Sequence, residues 1–336
     1  MRSATITPRW RVMQWMALAA CISSIMLAGA AAAHAQPYPS KPVRIICTFA
    51  AGGTTDVLAR GVARQLSEIW GQQVVVENRA GANTQIGAEH VAKSAGDGYT
   101  LMVTSEGTFV MNPSLYEKLP YDAAKDFIPI TTLVQLKQVL IVSPKVPVNN
   151  IRDLVALARK QPDKLTYGTT GLGSSSHLNM EMLQDMAQVK LTAVHYRGAA
   201  KALVDMHGGH IDMIFAAAGI VADQYRAGKL KILAVSSRNR VAGLPELPTI
   251  AEAGLPGFDG TSWFGLFAPR GTPPEVIARI HRDVARSFDD EGFRKKFLEP
   301  NMLEPNIISP DVFAQSINDG RERWGRIIRA AGLKGK

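Results

Sequence analysis

Two glycine-bearing stretches hold the clearest chemistry in this chain. Ala50-Ala51-Gly52-Gly53-Thr54 and Thr170-Gly171-Leu172-Gly173-Ser174-Ser175 each follow an apolar run and precede a helical pattern. In an open α/β sheet such turns fall at the carboxyl edge of the strands, where ligands bind. There the unpaired N–H groups and the positive end of a helix favour an anion. The first stretch runs on to Asp56 but lacks the Gly-Lys-Ser/Thr ending of a nucleotide loop and the three-glycine spacing of a dinucleotide loop. It reads either as backbone capture of a carboxylate, with Thr54 adding a hydroxyl, or as a tight turn with Thr54 or Thr55 capping the helix.

Gly173-Ser174-Ser175-Ser176-His177 invites a serine-hydrolase reading, but that chemistry needs a strained Gly-x-Ser-x-Gly elbow and a base within reach. Ser174 and His177 instead adjoin at one helix start, the spacing of a cap or a ligand contact. Glu106 follows the run Tyr99–Thr104 and so falls at a carboxyl edge too. It is either a solvated loop acid or a counter-charge for an amine or ring nitrogen on a ligand. The seven histidines show no metal spacing, because His207 and His210 straddle Gly208-Gly209. No enzyme activity, metal or cofactor is expected.

The elements that position these residues alternate strand and helix. Val43–Phe49, Val74–Glu77 and Tyr99–Thr104 read as strands, with helices at Thr55–Trp70 and Gln85–Ser94 between them. That order demands a parallel sheet covered on both faces. The alternation restarts with Val139–Val142, Leu165–Thr169, Leu191–His195, Ile211–Phe215 and Lys231–Val235, separated by helices at Ile151–Lys160, Ser176–Ala187 and Ala199–His207. Ser262–Pro269 is a further strand, followed by a helix over Pro273–Phe288. Two β/α units imply two similar lobes, with one glycine-bearing loop on each. Val139–Val142 and Ser262–Pro269 are the expected crossing strands.

Composition fits a folded globular chain: 46% apolar and 20% charged residues in 336. Arg2, Arg9 and Arg11 precede an uncharged run from Val12 to Ala33, closing on Ala33-His34-Ala35. This is the order of an export signal over residues 1–35, cut before Gln36. Leu18-Ala19-Ala20-Cys21 offers an alternative, lipidation at Cys21, but an apolar stretch would then follow the lipid where a polar tether is expected. Only Cys47 survives processing, so no intramolecular disulfide forms. The mild positive excess is spread along the chain without the aromatic-interleaved basic stripe of a nucleic-acid surface.

The chain resembles the Bug (TctC-like) periplasmic solute-binding proteins of tripartite tricarboxylate transporters. The resemblance rests on Tyr38–Arg44, Gly52–Asp56, Val74–Arg79 with Gly81, Ile86-Gly87-Ala88, Asp97–Leu101 and Asn112–Tyr116. It continues through Leu119–Asp122, Gly173-Ser174 with Ser176–Leu178, Tyr196–Ala200, Leu244–Thr249 and Ser262–Leu266. It implies a type II periplasmic-binding-protein fold, α/β and two-lobed, its ligand cleft between two β/α domains joined by crossing strands. Residues 36–138 with 262–336 would form one lobe and 139–261 the other. Phe49, Gly52, Gly53, Thr54 and Asp56 would line one wall; Ser105, Glu106, Thr170, Ser174, His177 and Tyr196 would line the others. The partners implied are a small organic carboxylate or amino-acid-like ligand and membrane permease subunits, with the receptor a monomer. A sensor feeding a membrane signalling protein is the alternative use. In many relatives an acid follows the strand ending at Phe215, but here Ala216-Ala217-Ala218 stands there, and Glu106 replaces a small or neutral residue.

The expected N-terminus of the exported chain is Gln36. Intact mass measurement checks this, and a mass that begins at an acylated Cys21 would overturn it.

Overall fold

The computed structural model describes residues 38–196 and 198–335. The export segment, Cys21, the cleavage point before Gln36 and Arg197 lie outside the described residues. Eleven strands form two sheets within the described residues.

The first sheet begins with β1 (Val43–Cys47), β2 (Val74–Asn78) and β3 (Thr100–Ser105). It adds β4 (Phe127–Leu136), β10 (Ser262–Pro269) and the short β11 (Glu304–Pro305). Their order is β11-β4-β10-β3-β1-β2. β1 runs parallel to β2 and β3, whereas β10 lies antiparallel between β3 and β4. Val43, Ile45, Ile46 and Cys47 are all fully buried, the continuous apolar run of a strand covered on both faces. Helices α1 (Thr54–Trp70) and α2 (Gln85–Ala92) make the parallel crossovers.

The second sheet contains β5 (Gln138–Val142), β6 (Thr166–Thr169), β7 (Thr192–His195), β8 (Met213–Ala217) and β9 (Lys231–Val235). Their order is β7-β6-β8-β5-β9, with β5 antiparallel to both neighbours. Helices α3 (Ile151–Lys160), α4 (Ser175–Ala187), α5 (Ala199–Gly208) and α6 (Ala218–Arg226) cover it. Helix α7 (Pro274–Asp289) follows β10, and α8 (Pro310–Ala330) closes the chain.

The two sheets are the two lobes of a type II periplasmic-binding-protein fold. The expected crossing strands require correction, since neither strand itself crosses. β5 lies wholly in the second sheet and is entered from β4 of the first through one residue, Lys137. β10 lies wholly in the first sheet and is reached from β9 through residues 236–261. No expected strand corresponds to β4, which carries Pro129, Thr131 and Thr132 in place of an unbroken apolar run.

A single apolar cluster spans both sheets, from Ile46, Met102 and Phe267 to Leu140, Tyr167 and Phe215. Phe267 stacks on Phe109 with ring centroids 4.0 Å apart, and Phe313 of α8 packs on Phe267 at 5.0 Å. Trp324 and Ile328 bury α8 in the same cluster, and this helix packs on β4 and on α4. Phe267→Ala removes the ring shared by these contacts. Equilibrium unfolding in urea should show a loss of about 3–5 kcal/mol; a loss below about 1 kcal/mol would mean the stack contributes little.

Candidate functional site

The loop after β1 is fixed by one buried carboxylate. Asp56, in the first turn of α1, is 4% exposed. Its Oδ2 accepts from the Gly52 N–H at 2.9 Å and from Arg60 Nε at 3.0 Å, and its Oδ1 accepts from Asn78 Nδ2 at 2.8 Å. Asn78 Nδ2 also donates to the Phe49 carbonyl at 3.0 Å. Burial pushes the Asp56 pKa up, but hydrogen bonds from Arg60, Gly52 and Asn78 outweigh it and hold the carboxyl below its ordinary range. The side chain is thus engaged in shaping the loop. Gly53 is the residue before α1 and has no side-chain cap, so neither Thr54 nor Thr55 fills that position. The first-turn N–H groups of Thr54 and Thr55 have no intrahelical acceptor. Gly52 and Gly53 are exposed, Thr54 is half-buried, and the half-buried Phe49 ring meets Phe264 edge-on at 6.3 Å.

Behind this loop, polar groups form a buried ladder that sequence reasoning missed. Thr48 Oγ1 lies 2.7 Å from Thr104 Oγ1, which bonds Thr108 Oγ1, which in turn bonds Thr84 Oγ1 at 2.8 Å. Asn112 Nδ2 donates to the Asn83 carbonyl, and Asn83 Nδ2 donates to Asn112 Oδ1, both at 2.8 Å. Together they restrain Ala82, Asn83 and Thr84, three successive residues with φ of 44°, 51° and 74°. Left-handed backbone at non-glycine residues is costly and persists only when surrounding bonds enforce it.

Ser105 is half-buried at the end of β3, but Glu106 is only 2% exposed, so it is no solvated loop acid. Its backbone is already helical (φ −46°, ψ −37°) at the start of the π-helical turn Gly107–Met111, and the carboxyl lies under Gly320 of α8. Trp324 Nε1 donates to Oε1 at 3.1 Å, and Arg323 Nη2 lies 3.8 Å away. Ser262 lies beside the same carboxyl, yet Oε2 has no partner in hydrogen-bonding geometry among the described residues. Burial raises the pKa to about 7, against the opposing pull of Arg323, Ser262 and Trp324.

The second glycine-bearing loop leads into the start of α4. Gly171 and Gly173 have φ of 141° and 69°, which residues with a Cβ rarely adopt. A Cβ on Gly173 would sit 2.1 Å from Leu115 Cδ1, so this loop of the second sheet reaches the first lobe. Ser174 caps α4, its Oγ accepting the His177 N–H at 3.4 Å. Ser176 Oγ accepts the Thr170 N–H at 2.9 Å and lies 3.0 Å from both Thr170 Oγ1 and Ser174 Oγ.

His177 is 2% exposed, and its Nδ1 accepts the Gly173 N–H at 3.0 Å. With Nδ1 accepting, Nε2 is the ring nitrogen left to donate. Nε2 lies 3.4 Å from Glu181 Oε1, which also accepts the Tyr167 hydroxyl. Ser174 therefore meets the backbone of His177, while the ring nitrogens are engaged elsewhere. The Tyr196 hydroxyl donates to Asp205 Oδ2 of α5 at 2.8 Å, bracing its phenol within the second lobe.

Phe49, Gly52 and Asp56 thus share one bonded cluster, and Thr170, Ser174 and His177 share another. Each cluster sits between the carboxyl end of a parallel strand and the amino end of a helix. Such paired helix starts can hold an anion by N–H donation without a cation.

Comparison with known proteins finds relatives along most of this chain. A family model described as the tripartite tricarboxylate transporter family receptor matches residues 58–333. Protein BugT of Bordetella pertussis is 34% identical over 306 residues, 91% of this chain and 94% of BugT. A solved R. palustris protein with adipate has a TM-score of 0.81 at 36% identity, covering 89% of this chain and 100% of its own. MatC from Rhodopseudomonas palustris with bound malate has a TM-score of 0.77 at 30% identity, covering 87% and 100%.

The buried carboxyl of Glu106 makes stability depend on pH. Its folded pKa of about 7 exceeds the ordinary value of 4.5, so the folded chain holds this proton longer than the unfolded chain. The resulting stability is complete below about pH 4.5 and is lost as pH rises through 7, a loss on the order of 3 kcal/mol. Glu106→Gln should flatten that decline in urea titrations at pH 5 and pH 8; equal slopes for both proteins would contradict it.

Proposed function

This chain belongs to the tripartite tricarboxylate transporter receptor family, and we propose that it captures a small organic carboxylate in a cleft between its two lobes. It would present that ligand, as a periplasmic monomer, to the membrane permease subunits of such a transporter. The lobes would comprise residues 36–138 with 262–336, and 139–261. The observation that carries this reading is the pair of glycine-bearing loops, one per sheet, each opening a helix.

The candidate walls offer hydroxyls and N–H groups: Thr54 and Ser105 from the first lobe, Thr170 and Ser174 from the second. No lysine or arginine belongs to this set, so the carboxylate would be held by charge-assisted hydrogen bonds, about 1.5–3 kcal/mol each. The two helix ends would add about 0.3–1 kcal/mol each. Phe49 and the small, half-buried Ala217 would leave room for an apolar ligand body. Malate and adipate, found with structural relatives, are two-ended acids of this kind. Asp56 and Glu106 would act from behind the walls, as the anchor of the first loop and as a buried support for α8.

In a thermal-shift panel of mono- and dicarboxylates that includes malate and adipate, a ligand at 100-fold its Kd should stabilise the chain by about 2.7 kcal/mol. Gly171→Val should weaken that ligand at least tenfold in calorimetry while the chain stays folded, since nothing crowds a Cβ there and only the backbone is strained. Absence of binding across the panel would overturn the assignment.

A further inference from the structure

The return crossing and the first crossing are bundled at one point. Gln138, the first residue of β5, pairs with Ser236 at the end of β9: the Ser236 N–H donates to the Gln138 carbonyl at 2.8 Å, and the Gln138 N–H donates to Ser236 Oγ at 3.2 Å. The Gly260 N–H, just before β10, donates to the Ser236 carbonyl at 2.7 Å. The first crossing and both ends of the return crossing are thus tied together by main-chain bonds.

Helix α4 is bolted to this bundle by side chains. Asn179 Nδ2 donates to Gln138 Oε1 at 2.8 Å and reaches the Gly260 carbonyl at 3.3 Å. Gln138 Nε2 donates to Ser175 Oγ at 3.3 Å, in the first turn of α4. Gln138 is 5% exposed and Asn179 fully buried, so neither amide has water as an easy substitute partner. Gly260 must lack a side chain, since a Cβ there would lie 2.4 Å from Asn179 Oδ1. Ser175 directly follows Ser174, the cap of the loop that carries Gly171 and Gly173.

We propose that Gln138 is a positioning residue that couples the Thr170–Ser175 loop to the crossing between the lobes. This rests on the receptor reading above. A carboxylate that draws the start of α4 towards itself would pull on Gln138 through Ser175 and Asn179. The pull then arrives at the two crossings, which set the angle between the lobes. A ligand moves such an equilibrium only through contacts that differ between its two states.

The test follows ligand-driven closure directly. Spin labels at Glu275→Cys on α7 and Lys160→Cys on α3, both exposed, report the distance between lobes by double electron–electron resonance. The probe is adipate, malate or the tightest binder of the carboxylate panel. In the otherwise native chain the probe should shift that distance. Gln138→Met keeps side-chain length but makes neither bond; it should cut the shift by more than half and raise Kd at least tenfold. Ser175→Ala, which removes one bond, should have a smaller effect in the same direction. A folded Gln138→Met that closes as fully as the parent, with Kd within twofold, overturns the proposal. Should Gln138→Met fail to fold, Ser175→Ala decides by the same criterion. A parent chain that binds without changing its distance also overturns it. A parent that binds nothing in the panel removes the receptor reading itself, a distinct outcome.

Discussion

An anion held by backbone N–H groups needs those groups held still before it arrives, because ordering them on binding would consume the interaction energy. Much of the buried polar chemistry near the candidate site is committed to that task. Asp56 gathers Gly52, Arg60 and Asn78 around the first loop. Ser176 and the ring of His177 do the same for the second, receiving the N–H groups of Thr170 and Gly173. Each loop is thereby preorganised by residues behind it. The hydroxyl ladder from Thr48 to Thr84 extends the same principle one layer deeper.

The connection between the lobes is just as constrained. Lys137, alone between β4 and β5, is 5% exposed. Its Nζ pairs with Glu304 Oε2 at 2.6 Å and donates to the Arg240 carbonyl at 3.0 Å, while its own carbonyl accepts the Ala218 N–H. A buried ammonium is tolerated only when paired. This one joins β11 of the first sheet, the loop after β9 and the start of α6, so the crossing has a defined geometry. A restrained crossing beside two rigid loops suits rotation of whole lobes better than local folding around a ligand.

What the sequence made legible follows from how strongly each segment patterns. β1, with Val43, Ile45, Ile46 and Cys47, and α1, with Leu58, Val62 and Leu66, announce themselves by period. Glycines mark both loops because Gly52, Gly171 and Gly173 have positive φ, and Gly173 also comes close to Leu115. β4 was opaque because Pro129 and a Thr131-Thr132 pair interrupt it, and these pair with β10 where sequence gives no warning. In α8, Phe313, Ile317, Trp324 and Ile328 keep a helical stripe, but Gly320 and Gly325 dilute it. Glu106 and Asp56 were visible as acids at the right edge, yet their direction was not. A glutamate beside a strand end faces solvent or core according to the turn that follows, here a π-helical one. Asn179 and Gln138 carried no signal at all, since amides 41 residues apart meet only through tertiary packing.

In the proposed complex one carboxylate is held by both glycine-bearing loops at once. Amide hydrogen exchange of the chain with and without a bound carboxylate tests it most directly. Slowed exchange is expected at Gly53–Thr55 and at Ser175–Ser176 together, saturating at one ligand per chain. Protection confined to one loop, or centred elsewhere in the fold, would contradict it.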